Sequence, residues 1–234
     1  MKKLITLFAS VSTLAVVPTQ AAVINLSDHT AVAGTGNFTQ SLGTTISNDN
    51  AVYMVGTITW QPNATNLEAT ANFHLAANQQ RGGFGSRGGS VDIMLDGGIE
   101  GQGSGRPDGA YTVDTTAGAT TSYTFVLKID QTNTTDPGAG NYWTTGNPNM
   151  WLWIDPNLAA TEGSQAATMS AWWSGQNNFA QVFYNHGTGS PNGDVVYSDF
   201  SVHYGGDSPF AVPEPSAALL GMLGSLLLLR RRRN

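Results

Sequence analysis

The chain has no cysteine and few charged side chains, and both absences restrict what it can be. None of its 234 residues is Cys, and 11% are charged. Without thiols it can form neither disulfides nor thiolate nucleophiles nor Cys-ligated zinc and iron–sulfur centres. Its 28 glycines are typical of short strands joined by tight turns rather than of long charged helices. We therefore expect a single all-β domain.

Basic residues are scarcest in the middle of the chain. Residues 22–212 contain four basic and fifteen acidic side chains, a net charge of −11, whereas the whole chain carries −6. Phosphate binding requires clustered Lys and Arg side chains. We therefore expect no nucleic-acid partner.

The first 21 residues have the three regions of a secretory signal peptide. Lys2 and Lys3 precede an apolar run over residues 4–17. The small residues Thr19 and Ala21 then provide a site for signal peptidase. We expect an N-terminal signal helix, 1–21, and an exported domain, 22–211.

The last segment, 212–234, combines a helix breaker, an apolar helix and a basic end. Pro213 and Pro215 interrupt preceding structure, residues 217–229 can form the helix, and four arginines follow. Such a helix spans about 20 Å, less than the hydrocarbon core of about 30 Å. The arginines would stay in the cytoplasm, with the domain outside. We expect a short transmembrane helix that anchors the chain transiently.

This tail resembles the PEP-CTERM sorting signal of Gram-negative bacteria in the stretch VPEPSAALLGMLGSLLLLRRRR. The resemblance implies recognition by an exosortase and delivery from the inner membrane to the cell surface or extracellular matrix. It covers the tail alone and specifies an address, not an activity. The residues that carry it are Pro213, Glu214, Pro215, Arg230, Arg231, Arg232 and Arg233.

The exported segment contains repeated strand patterns. Residues 51–60, AVYMVGTITW, alternate apolar and polar side chains with the period of two that is typical of a strand. Many short strands without exact repeats predict two packed antiparallel sheets, a β-sandwich. Further runs, separated by Gly, Asn, Asp or Pro clusters, cover 67–75, 90–95, 123–129, 150–154, 167–173, 180–184 and 195–204.

Residues 123–206 carry a second resemblance. The stretches SYTFVLKIDQTNTTDPGAG, PNMWLWIDPNL and VVYSDFSVHYGG are similar to strands of concanavalin A-like, laminin-G-like domains. Ser201 and His203 depart from that pattern, because Glu or Arg is commoner at their positions. The resemblance implies a jelly roll. Some such domains hold calcium with loop carboxylates, which makes the loops around Asp96 and Asp136 calcium candidates, although such groups also cap turns. We expect no other cofactor.

Motifs for catalysis are weak. Residues 83–88 spell GFGSRG, but a dinucleotide site needs a following helix, so with Arg81 and Arg87 the stretch predicts a flexible Gly-rich loop. Glycoside hydrolysis needs two close carboxyls, whereas Asp92 and Asp96 on one strand would lie about 13 Å apart. No nucleophile elbow marks a Ser-His-Asp arrangement. We expect a protein that is not an enzyme, with a carbohydrate-active hydrolase of jelly-roll type as an alternative.

The tryptophans suggest a binding surface. Strand alternation places Trp151 and Trp153 on one face, opposite Met150, Leu152 and Ile154. If the latter face enters the core, the two indoles project about 6.6 Å apart, a spacing on which sugar rings can stack. The alternative is that these large aromatics fill the core. The other candidates for this glycan platform are Trp172, Trp173 and Tyr184.

These features together predict a non-enzymatic exported protein that binds exopolysaccharide at the surface or in the matrix of a Gram-negative bacterium. A purely structural matrix protein without glycan specificity is the first alternative. The jelly-roll hydrolase is the second.

Overall fold

The structure is a computed structural model that describes residues 21–31, 37–60, 69–75, 80–86, 93–96, 120–135, 147–172, 178–186 and 194–211. Nearly all of the predicted signal peptide, the sorting tail from 212 onward, Trp173 and Asp136 lie outside these residues. Within the described ranges, no helix is long and apolar enough to cross a membrane.

The described residues form two antiparallel sheets with almost no helix. Sheet A has the order β1-β12-β4-β8-β9-β10, with β2 also on β12, and sheet B has the order β3-β11-β5-β6-β7. The strands are β1 (Ala22–Asn25), β2 (His29–Ala31), β3 (Phe38–Ser47), β4 (Val52–Trp60), β5 (Ala69–His74), β6 (Gln80–Ser86), β7 (Ile93–Asp96), β8 (Thr121–Ile129), β9 (Met150–Ile154), β10 (Met169–Ala171), β11 (Asn178–His186) and β12 (Val195–Tyr204).

One apolar core joins the two sheets. Met54 of β4 and Leu127 of β8 contribute to it from sheet A, and Phe73 of β5 and Val182 of β11 from sheet B, all with no exposed surface. These side chains come from alternate positions of their strands, because successive residues of a strand point to opposite faces. The prediction of an all-β, antiparallel β-sandwich is confirmed at this level.

The predicted strands agree best where apolar alternation is strong. Strands β9 and β12 have the predicted bounds, whereas β10 is shorter than the predicted 167–173. Strand β3 was not predicted, because its sequence FTQSLGTTIS is mostly polar. It lies at the edge of sheet B and buries little beyond Leu42 and Ile46.

Residues 83–86 of the Gly-rich stretch belong to strand β6, so the prediction of a flexible loop was wrong for them, and residues 87 and 88 lie outside the described residues. Strand β6 lies between β5 and β7 in sheet B. A Cβ at Gly83 would overlap the Asn72 side chain, and one at Gly85 would overlap the carbonyl oxygen of Ala69. Gly85 also has a φ of +135°. Glycine is needed here because neighbouring atoms approach closely, which is a recognised role of Gly within strands.

Candidate functional site on the outer face of sheet A

One face of sheet A points away from the core. A row of paired residues that includes a histidine, a tyrosine, a lysine and a tryptophan crosses this face. The strand register aligns Val23 of β1, His203 of β12, Tyr53 of β4, Lys128 of β8 and Trp151 of β9. We call these five residues the cross-strand row. Adjacent strands lie about 4.8 Å apart, so the row is about 20 Å long.

At one end of the row, Lys128 lies among two aromatic rings and a carboxylate. Its Nζ atom is 5.2 Å from the centroid of the Trp151 ring and 5.6 Å from that of Tyr53. The same atom is 2.7 Å from Oε1 of Glu162, which belongs to a short 3-10 turn, Glu162–Ser164. Cation–π attraction and the ion pair together hold the ammonium in place.

Glu162 also binds Tyr53. The Tyr53 hydroxyl donates a hydrogen bond of 2.7 Å to Oε2 of Glu162, so the two carboxylate oxygens have different partners. Burial raises the pKa of Tyr53, and the hydrogen bond to Glu162 raises it further. The phenol therefore stays protonated at physiological pH and remains a donor.

The segment after β12 covers part of this face. Phe210 lies 5.2 Å from Trp153 and 6.3 Å from Tyr53, measured between ring centroids, with both pairs edge to face. The backbone N–H of Ala211 donates to the carbonyl oxygen of Leu158 at 3.0 Å. Trp153 donates its indole N–H to the carbonyl oxygen of Gln165 at 3.3 Å. Tyr53, Trp153 and Phe210 form a second, smaller apolar cluster with Val55 and Val126, outside the sandwich core.

This cover determines which of the predicted glycan residues reach the surface. Strand β9 points Met150 and Leu152 into the core and both tryptophans outward, as the alternation indicated. Trp151 is partly exposed. Trp153, Trp172 and Tyr184 retain only 5%, 3% and 1% exposure, and Tyr184 belongs to the core between the sheets. Of these four, therefore, only Trp151 keeps appreciable exposed surface, and it also packs against the second cluster and lies beside the Lys128 ammonium.

At the other end of the row, Ser201, His203 and Asp207 form a chain of hydrogen bonds. His203 Nδ1 lies 2.5 Å from Asp207 Oδ2, and His203 Nε2 lies 3.1 Å from Ser201 Oγ. Because a carboxylate only accepts, Nδ1 carries a proton, and in the neutral imidazole Nε2 then accepts from the serine hydroxyl. The His203 and Asp207 side chains are 15% and 31% exposed.

A glycine turn brings Asp207 back over His203. Gly205 and Gly206, which follow β12 directly, have φ angles of +67° and +91°. Gly205 donates its N–H to the carboxylate of Asp49, which ties the turn to the connection between β3 and β4. Sequence reasoning noted Ser201 and His203 as departures from a family pattern but did not connect them with Asp207. The sequence does contain the pattern: Ser201 and His203 lie two residues apart on a strand, and a Gly-Gly turn followed by Asp207 comes directly after it.

The described residues provide no set of calcium ligands around the two candidate positions, Asp96 and Asp136. Among them, no group of three or more His, Cys, Asp or Glu side chains could hold a metal ion. Asp96 ends β7, and Asp136 is outside the described ranges. The nearby Asp130 caps a turn, since its Oδ1 accepts from the N–H and the hydroxyl of Thr132 at 2.8 and 2.6 Å.

Comparison with known proteins adds information on the fold alone. No protein-family model and no curated protein matches the chain. A solved structure titled "Crystal Structure of A. japonicus CB05" is similar, with a TM-score of 0.50 and 11% identity. The match covers 84% of this chain and 28% of that chain, so this chain corresponds to less than a third of the other's length. At that identity the likeness extends to the fold only.

Proposed function

We propose that this chain is an exported, PEP-CTERM-sorted protein of the surface or extracellular matrix of a Gram-negative bacterium, with a concanavalin A-like jelly roll that binds exopolysaccharide. The signal-peptide pattern and the Pro-Glu-Pro tail support the address. The antiparallel β-sandwich is compatible with a jelly roll. Binding at the Trp151 surface involves no turnover.

The observation that carries the binding proposal is the setting of Trp151. Its indole is partly exposed on the outer face and is held beside the ammonium of Lys128. An aromatic ring can stack on the apolar face of a sugar, while neighbouring polar groups bond its hydroxyls. Lys128 and Glu162 provide a donor and an acceptor next to the ring.

The same face continues as a strip of hydroxyl groups. The side chains of Thr57 and Thr124 lie 3.2 Å apart, and those of Thr59 and Ser122 lie 2.9 Å apart, across β4 and β8. Hydroxyls both donate and accept, so they suit a polyhydroxylated ligand. A long polysaccharide could therefore contact Trp151 and this strip together, which makes weak individual contacts effective through multivalency.

Retention on a panel of bacterial exopolysaccharides, with and without calcium, tests the binding. The full-length protein is compared with Trp151→Ala and with Val23→Ala, a control at the other end of the row whose side chain is 47% exposed. We expect at least a tenfold loss of retention for Trp151→Ala and little change for Val23→Ala. No retention of the unmodified protein would favour a purely structural matrix protein. Released sugar would favour the jelly-roll hydrolase.

The address has a separate test in the native host. Replacing Pro213, Glu214 and Pro215 by alanine alters none of the described residues, which end at 211. We expect the variant to accumulate in the inner membrane, while the unmodified chain reaches the surface or matrix. Equal distribution of the two in cell fractions would remove the sorting proposal without affecting the glycan test.

A further inference from the structure

We propose that Ser201, His203 and Asp207 form a nucleophilic site that cleaves small neutral esters. This activity is separate from glycan binding at Trp151 and uses the opposite end of the cross-strand row. Its basis is the pair of contacts that connects the three side chains: Ser201 Oγ lies 3.1 Å from His203 Nε2, and His203 Nδ1 lies 2.5 Å from Asp207 Oδ2. Activation of a serine requires a base within hydrogen-bond reach and a third group that orients the base.

The orienting group is held by the fold. Asp207 is brought to His203 by the Gly205-Gly206 turn, whose first N–H is bound by Asp49. Ser201 and His203 are two residues apart on β12, so their side chains share one face. Strand β12 thus holds His203, and the turn bound by Asp49 holds Asp207 against it. Because these groups are already in place, reaching the transition state costs less entropy.

Strand β1 provides the remaining parts of the site. Asn25 is directly opposite Ser201 in the register and is exposed, and Val23 is opposite His203. Side chains of directly paired residues lie about 5 Å apart, which lets the Asn25 amide reach an oxygen on an acyl carbon bound to Ser201. A side-chain amide of this kind can stabilise a developing oxyanion. Val23, 47% exposed, offers the acyl methyl an apolar contact.

The reaction balances with water as the second reactant. Ser201 Oγ bonds to the ester carbonyl carbon as His203 Nε2 takes the hydroxyl proton, and the carbonyl oxygen becomes an oxyanion near Asn25. The carbon–oxygen bond to the alcohol breaks, and His203 returns the proton to the leaving oxygen. Water then adds to the acyl-serine with His203 taking its proton. The carboxylic acid departs, and the proton returns to Ser201.

The substrate class follows from the shape and charge of this region. Val23 and Asn25 are both exposed, so the face is open rather than a deep acyl pocket. That favours an acetyl-sized acyl group on a larger alcohol. The exported segment has a net charge of −11, which disfavours anionic esters. Neutral acetyl esters of hydroxylated molecules are the proposed class.

A fluorophosphonate probe tests the nucleophile. The full-length protein is labelled and the modified peptide is identified by mass spectrometry. We expect labelling on Ser201, lost in Ser201→Ala and kept in Ser198→Ala, a control on the same strand that is also half-buried. Absence of labelling, or labelling that persists in Ser201→Ala, would overturn the proposal. Thermal melts of each variant confirm that it is folded.

Hydrolysis of p-nitrophenyl acetate tests the other roles. We expect kcat/KM to fall more than about 100-fold in His203→Gln and Asp207→Asn. Loss of one oxyanion donor costs about 100-fold in kcat in comparable sites, so Asn25→Ala should approach that loss with KM nearly unchanged. Equal rates for the unmodified protein and Ser201→Ala would reject the site. Because these readouts contain no polysaccharide, their failure would leave the glycan proposal standing.

Discussion

Lys128 Nζ lies 2.7 Å from Glu162 Oε1, yet the two side chains remain 20% and 30% exposed. Glu162 contributes to the outer face mainly by holding neighbouring groups in place. Besides pairing with Lys128 of β8, its carboxylate accepts a hydrogen bond from the Tyr53 hydroxyl of β4 and so connects its own turn to both strands. Solvent screens partly exposed ion pairs, and each contributes about 0–1 kcal/mol. The contact therefore acts mainly to orient the surroundings of Trp151.

The first prediction separates the charge of Glu162 from its hydrogen bonding. Glu162→Gln keeps an acceptor for the Tyr53 hydroxyl, so we expect the free energy of unfolding to fall by less than about 1 kcal/mol. Tyr53→Phe removes the donor and should cost about 1 kcal/mol. Urea denaturation gives the free energy of unfolding of both variants. A double-mutant cycle of Tyr53→Phe with Glu162→Ala, which removes the acceptor, then measures the coupling between the two side chains. Zero coupling energy would contradict the hydrogen bond seen between these residues.

The two tryptophans of β9 should differ in stability. Trp153 is nearly buried against Phe210, so Trp153→Ala should lower the free energy of unfolding by about 3–5 kcal/mol. Trp151 is partly exposed, and Trp151→Ala should cost about 1 kcal/mol. Denaturant midpoints check both values. Equal losses would mean that Trp151 is part of the packed cover and not a free stacking surface.

Gly56 should tolerate no side chain. A Cβ at this position would overlap the ring of Phe200, which packs over β4 from β12. We expect Gly56→Ala to destabilise the protein by about 1–3 kcal/mol, since overpacking forces the ring or the backbone to move. Gly163→Ala is the matched control, because nothing lies within 4 Å of its added Cβ. A melting temperature unchanged in Gly56→Ala would show that Phe200 can move at little cost.

Acid should weaken the fold through His29. Burial lowers the pKa of His29 below its ordinary 6.5, and the nearby His186 lowers it further. As the pH falls below 6.5 the unfolded chain takes up a proton that the folded protein resists, so stability present above 6.5 is lost progressively. His29→Phe keeps a ring that can stack on Phe38, now 4.0 Å away, but cannot titrate. Unfolding free energies measured from pH 7.5 to 5 should decline less in this variant; parallel curves would assign the loss to other groups.

Much of the sandwich was predictable because most of its strands show a local alternation of apolar and polar residues. Strand β9 has the bounds that alternation of Met150, Leu152 and Ile154 with two tryptophans indicated. Strands β3 and β6 were missed for opposite reasons. The edge strand β3 is polar because little of it is buried, and β6 is glycine-rich because its neighbours leave no space for Cβ atoms. Neither cause is visible without the paired strand.

The amino-acid order alone determined which side chains of each strand lie on the same face, because a strand alternates with a period of two wherever it is placed. It therefore put Trp151 with Trp153, and Ser201 with His203. Only the tertiary structure decided their environments. The chain after β12 folds back, places Phe210 on Trp153 and brings Asp207 to His203. Such contacts depend on the path of a turn and the register of neighbouring strands, and no local pattern specifies either.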